Sequence, residues 1–216
     1  MSDKYNIDSH KLMFHPTRVS QWLEAKDDWN NEKMVYPIYV EITPIGSCNH
    51  RCTFCSVDYI GYKSIKQDEE ILSQRIREMA KLGVKSIMFA GEGEPTLYKP
   101  LPNILDVCTE AGIDTSLTTN AVAMNEKTIE NYLKNCSWIK VSINAGDRET
   151  YSKIHTTKAA DFDKVVENLT LAAKRKKEKS YNCTIGAQML LLPENKNTAI
   201  KITKKKKKVG GEQPFI

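Results

Sequence analysis

The chain has 216 residues, 40% apolar and 27% charged, with a formal net charge of +5. That is ordinary globular composition and excludes an intrinsically disordered chain. Residues 1–11, MSDKYNIDSHK, contain no apolar h-region, and the longest apolar stretch, residues 187–192, is far too short to span a bilayer, so a soluble cytoplasmic protein without a membrane span is expected.

The charge is not spread evenly. Residues 201–216 hold six lysines and one glutamate, which accounts for the whole excess. The neutral remainder argues against a nucleic-acid partner. A second basic patch, residues 174–179, reads as a solvated helix end favoured by the helix dipole.

Residues 1–35 are polar and mixed and read as an N-terminal extension, with one short helix around 17–25. The core is expected over residues 36–203. Residues 38–43, IYVEIT, are rich in β-branched and aromatic side chains and predict a first strand. A cysteine-bearing loop follows. Residues 68–82 carry apolar side chains at helical spacing, with acids in the first turn and Gly83 just past the end. Strands are predicted at 84–90, 114–119, 138–143 and 183–192, with helices at 101–111, 126–135 and 161–178 between them. A further helix opens at 193–203. Nothing after the lysine run reads as a strand of useful length. Trp22, Trp29 and Trp138 are expected in packing, and Cys108, Cys136 and Cys183 as small buried hydrophobes.

Strands alternating with helices imply right-handed βαβ units and a parallel sheet. Five strands are too few for a closed eight-stranded barrel. The predicted fold class is therefore α/β, a partial barrel or open sheet, with its ligands at the C-terminal ends of the strands. Polar signals fall at those ends. The cysteines follow strand one, Gly91-Glu92-Gly93-Glu94-Pro95 follows strand two, Thr119-Asn120 ends strand three, and Ser142-Ile143-Asn144 ends strand four.

Cys48, Cys52 and Cys55 stand at C-x3-C-x2-C spacing with no fourth cysteine nearby. Structural zinc takes four ligands, so here His50 or a distant cysteine would have to serve. A fully thiolate-ligated iron–sulfur cluster has the same shortage. A 4Fe–4S cluster held by three thiolates, with one iron left open, needs no fourth ligand, and an open metal position marks a catalytic site.

The run Cys48-Asn49-His50-Arg51-Cys52-Thr53-Phe54-Cys55 resembles the signature of the radical S-adenosylmethionine (radical SAM) family. The resemblance covers about residues 36–195 and implies a six-stranded partial barrel, of which five strands are legible. It implies a 4Fe–4S cluster on Cys48, Cys52 and Cys55, whose open iron chelates S-adenosylmethionine. Reductive cleavage then gives a 5′-deoxyadenosyl radical that takes hydrogen from a substrate. Phe54 is expected near the adenine. Gly91, Glu92, Gly93, Glu94 and Pro95 resemble the Gly-Gly-Glu-Pro stretch that binds the methionine amino group, with Glu92 in place of the first glycine. Thr119 and Asn120 resemble the cofactor-facing end of strand three, Ser142 and Asn144 the ribose-contacting end of strand four, and Gln188 the polar group of the segment that closes over the adenine. His155 is expected as a structural histidine at a helix end.

The resemblance also implies an external reductant such as flavodoxin or ferredoxin. The substrate is unidentified: a small molecule, sugar or peptide. Alternatives are a glycyl-radical-activating enzyme and a non-catalytic iron–sulfur or zinc-binding remnant. Residues 204–216 are expected as a disordered basic tail, or as the product of a reading-frame slip that leaves strand five an unpaired edge.

Overall fold

A computed structural model describes residues 11–202 and the backbone of residues 213–215. Two short helices lead the chain, α1 (Pro16–Ala25) and α2 (Trp29–Glu32). The rest alternates: β1 (Tyr39–Ile42), α3 (Ser56–Ile60), α4 (Glu69–Lys81), β2 (Ser86–Phe89), α5 (Leu101–Glu110), β3 (Asp114–Thr119), α6 (Glu126–Asn135), β4 (Cys136–Ser142), α7 (Arg148–His155), α8 (Ala159–Lys179), β5 (Thr184–Gln188) and β6 (Gln213–Phe215). All six strands lie parallel in sequence order in one sheet. Right-handed crossovers between sequential neighbours bring successive helices to one face, and α4 packs on α5, α5 on α6 and α6 on α8. Among the described residues β1 and β6 do not pair, so the sheet is an open partial barrel.

Local chemistry explains the boundaries. Asp68 caps α4 by accepting from the Glu70 and Ile71 amides, both at 3.0 Å, and Asn125 and Thr128 form a reciprocal capping box on α6. The inner faces of the helices meet Ile87, Phe89, Leu117 and Val141 of the sheet, all fully buried. Each such side chain contributes roughly 1.5–3 kcal/mol of burial. Cys108, Cys136 and Cys183 are buried in this core, as expected of small hydrophobes.

Several elements depart from the sequence reading. A sixth strand, β6, pairs with β5 where no strand was predicted, so β5 is not an unpaired edge. The remaining lysine-rich residues, 203–212, lie outside the described part. The strand predicted over 183–192 ends at Gln188, because side-chain amides take the next backbone groups: Asn144 Oδ1 accepts from the Leu190 amide, and Asn195 bonds Leu190 O and the Leu192 amide. Strand β4 begins two residues early, directly on α6, with Thr115 Oγ1 donating to Asn135 O at the junction. Helix α7 was anticipated only as a helix ending at His155, without bounds, and it does end there. Trp22 and Trp29 are 54% and 71% exposed rather than packed. The leading segment is held instead by Arg18, which donates to Tyr36 O and Leu82 O.

Candidate active site

The loop between β1 and α3 carries Cys48, Cys52 and Cys55, all half-buried free thiols. Main-chain bonds fasten it to the end of α7: the Arg51 amide donates to His155 O at 3.0 Å and the Thr53 amide to Ile154 O at 2.8 Å. Arg51 Nη1 closes the turn by donating to Cys48 O and His50 O. Its guanidinium lies over the Tyr62 ring, 4.4 Å from the centroid, and Tyr62 Oη is 3.4 Å from Cys55 Sγ. Cys52 Sγ lies 3.0 Å from His155 Nδ1, and His155 Nε2 lies 3.1 Å from Ile143 O. Burial, and then the neighbouring Cys48 and Cys55 sulfurs, push the Cys52 thiol up to about 12. Cys48 is also raised, chiefly by burial. These thiols are reluctant to ionise alone and suit a cation that displaces their protons.

The loop after β2 lies flat against the cysteine loop. Gly91 has φ +107°, and a Cβ there would meet Thr43 Oγ1 at 1.8 Å. A Cβ on Gly93 would stand 2.2 Å from Ile45 O and 2.5 Å from Ser47 O, so only glycine permits this approach. The Glu94 amide donates to Ser47 O at 2.9 Å. Glu94 itself is 3% exposed. Its Oε1 accepts from the Thr96 amide, Thr96 Oγ1 and Thr119 Oγ1, and its Oε2 from the Asn120 amide. Burial pushes this carboxyl up, while those donors favour its ionised form. Most of its lone pairs are thus engaged within the protein. Pro95 is buried behind it, and Glu92 is exposed to solvent.

Strand β3 ends beside these groups. Thr119 Oγ1 also accepts from the Ala121 amide, and Asn120 Nδ2 donates to Asn49 Oδ1 at 2.7 Å, tying β3 to the cysteine loop. At the end of β4, Ser142 is half-buried and pairs with Gln188 of β5. Asn144 is buried at φ +50°. Asn195, fully buried, donates to Asn144 O and Leu190 O and links the β4 and β5 loops. Phe54 stands edge-on to His155, 6.1 Å between centroids. The thiols, the Gly-Glu-Pro turn and the polar ends of β3, β4 and β5 therefore occupy one end of the sheet.

A model of the radical SAM superfamily matches residues 42–204. The chain belongs to the radical SAM superfamily. Members of this family work with a 4Fe–4S cluster and S-adenosylmethionine, and the radical SAM chain described here carries the matching cysteine loop. It is 32% identical over 114 residues to an S-adenosylmethionine-dependent nucleotide dehydratase of Lacinutrix mariniflava, covering 50% of this chain and 23% of the relative. It is 30% identical over 133 residues to a GTP 3′,8-cyclase of Chlorobaculum tepidum, covering 61% and 39%. The alignments thus span well under half the length of these relatives. Among solved radical SAM structures, Streptococcus suis SuiB bound to S-adenosylmethionine superposes with a TM-score of 0.65 at 19% identity, over 99% of this chain and 45% of that one, a likeness of fold.

The donor set fits the family's cluster. Thiols around one tetrahedral ion would lie about 3.8 Å apart, from bonds of about 2.3 Å. Among the described residues the potential ligands gathered within 4.8 Å of one another are His50, Cys52 and His155, not the three cysteines. The three cysteine sulfurs do not all stand that close together, which suits a cluster larger than a single ion. Sequence reasoning missed Asn49, Tyr62 and Asn195, and gave His155 only a structural place. The Asn49 position inside the C-x3-C spacing was the one available signal.

Proposed function

We propose that this chain is the catalytic core of a radical SAM enzyme, with Cys48, Cys52 and Cys55 holding the cluster. The observation that carries this is the convergence of three half-buried thiols with the Gly91–Pro95 turn and the ends of β3, β4 and β5. When bound, the cluster supplies the electron that cleaves S-adenosylmethionine and so starts hydrogen abstraction from a substrate. A flavodoxin- or ferredoxin-type reductant would deliver that electron.

The chain's own residues bind and orient. Gly91 and Gly93 let backbone approach the cysteine loop, so main-chain carbonyls there can receive an ammonium group without a side chain in the way. Glu94 serves mainly by holding this turn to β3 through Thr119 and Asn120. Ser142, Asn144 and Gln188 offer polar groups for a ribose and adenine, and Phe54 an aromatic edge. Glu92, in solvent, has no part in this reading. The substrate class we favour is a nucleotide, because the 30–32% identical relatives are named for nucleotide chemistry, whereas SuiB shares only the fold.

The test is anaerobic reconstitution with iron and sulfide, reduction, and electron paramagnetic resonance with and without S-adenosylmethionine. A reduced 4Fe–4S signal that shifts on adding S-adenosylmethionine is expected. Nucleotide-dependent release of 5′-deoxyadenosine would then identify the substrate class. A cluster blind to S-adenosylmethionine would favour the non-catalytic reading.

A further inference from the structure

Behind the cysteine loop lies a buried set of polar rings that the proposed function does not use. His50, in the loop, is 1% exposed, as is His155 at the end of α7. Their ring centroids are 5.0 Å apart, and Tyr151 packs 4.3 Å from His155 and 5.7 Å from His50. Among the described residues, three polar atoms in this set have no hydrogen-bond partner: His50 Nδ1, His50 Nε2 and Tyr151 Oη. Asp161 Oδ2 stands 3.5 Å from His50 Nε2, a long contact rather than a sound hydrogen bond. A native interior does not leave an imidazole with one long contact and an unpartnered second nitrogen without a reason, and service as a metal ligand is one such reason.

The ligand chemistry supplies that reason. A ring nitrogen of His50, the Cys52 sulfur and a ring nitrogen of His155 lie within 4.8 Å of one another. Around a tetrahedral ion, N and S ligands stand about 3.3–3.6 Å apart, so side-chain shifts of about 1 Å suffice to close the set. His155 is already oriented for this. With Nε2–H donated to Ile143 O, Nδ1 presents its lone pair 3.0 Å from Cys52 Sγ. A carbonyl holding the far nitrogen of a histidine is the usual outer support of a metal ligand. Asp161 Oδ2, at the rim, offers a carboxylate as fourth ligand or outer support, and a water can take the open position.

We propose that the cluster-free chain binds one divalent transition metal of the zinc class through His50, Cys52 and His155. Binding forms a metal–thiolate bond and releases the Cys52 proton to solvent, with no change of oxidation state. Because Cys52 is shared, this site and the cluster exclude each other. The exclusion, though not the binding, rests on the reading of Cys52 as a cluster ligand.

The probe is Co2+, titrated anaerobically into the cluster-free full chain. One equivalent with a thiolate-to-cobalt charge-transfer band is expected, and nuclear magnetic resonance of the cobalt-loaded chain should show shifted exchangeable imidazole N–H signals from histidine ligands. Cys52→Ser should abolish the charge-transfer band, and His50→Gln and His155→Gln should each weaken binding at least about tenfold, while Cys48→Ser and Cys55→Ser leave it intact. Loss of binding in Cys48→Ser and Cys55→Ser would mean a three-thiolate site and overturn the proposal, as would absent binding or a cobalt spectrum without imidazole signals. The imidazole signals decide the matter in wild-type protein even where a histidine variant fails to fold. Cluster uptake separates the two readings: Cys48→Ser loses the cluster but keeps cobalt, and His50→Gln does the reverse.

Discussion

Thr119→Val tests the joint that fastens the β2 loop to the end of β3. Valine keeps the shape and the β-branch, so strand preference and packing change little. The hydroxyl is 2% exposed as part of Thr119 and does two things: it donates to Glu94 Oε1 at 2.5 Å and accepts from the Ala121 amide at 2.8 Å. Losing a hydrogen bond to a charged carboxylate costs about 1.5–3 kcal/mol, and an orphaned buried amide about 1–3 kcal/mol. A methyl in place of the hydroxyl returns about 1 kcal/mol of burial. The expected loss is therefore about 3 kcal/mol. Thr119→Ser keeps the hydroxyl and should cost about 1 kcal/mol for the missing methyl. Urea unfolding of the cluster-free chain under anaerobic reducing conditions, followed by far-ultraviolet circular dichroism, measures both. The midpoint should fall with the slope unchanged. Equal stabilities for the valine and serine variants would refute the account, because the hydroxyl would then hold nothing.

Other perturbations address other joints. Gly93→Ala forces a methyl against Ile45 O and Ser47 O; a loss of at least about 2 kcal/mol and defective cluster uptake are expected by urea unfolding and iron analysis. Asn195→Ala strips partners from Asn144 O, Leu190 O and the Leu192 amide and should cost about 3 kcal/mol in chemical unfolding. Asp147 caps α7 and pairs with Lys201, whose hydrogen bond lowers its pKa from 3.8 to about 2. Its folded value is depressed, so its contribution is fully present above about pH 4 and is lost as pH falls through about 2. Discounted for solvent screening, it is worth about 0.5–1 kcal/mol. Asp147→Ala should lower the thermal midpoint at neutral pH and leave it nearly unchanged near pH 2.

Periodic segments were the legible part of the fold. Strand β3 and helix α6 fall on their predicted residues, because a clear amphipathic pattern and a capping Asn125 fix them locally. The apolar run at 189–192 misled, since a hydrophobic stretch reads as strand until one knows that Asn144 and Asn195 claim its backbone. Helix α7 is short, and its value lies in what it touches. At the site, cysteine spacing and the Gly-Glu-Pro turn are local signals and could be read. The contact of Cys52 with His155 spans 103 residues, and the ring cluster around it exists only after the chain has folded.

The two bonds that fasten the cysteine loop to α7 run from main-chain amides at positions 51 and 53 to main-chain carbonyls. Such stitches ask nothing of side-chain identity. Thr53 can be exchanged for other residues, proline apart, with its bond kept, since only the amide hydrogen matters; at Arg51 the main-chain bond survives exchange, but the side-chain bonds to Cys48 O and His50 O do not. Residue identity at position 53 is therefore open to variation in a way that Gly93, hemmed in by carbonyls, is not. The site combines a part that tolerates mutation with a part that forbids it, both against the same cysteine loop.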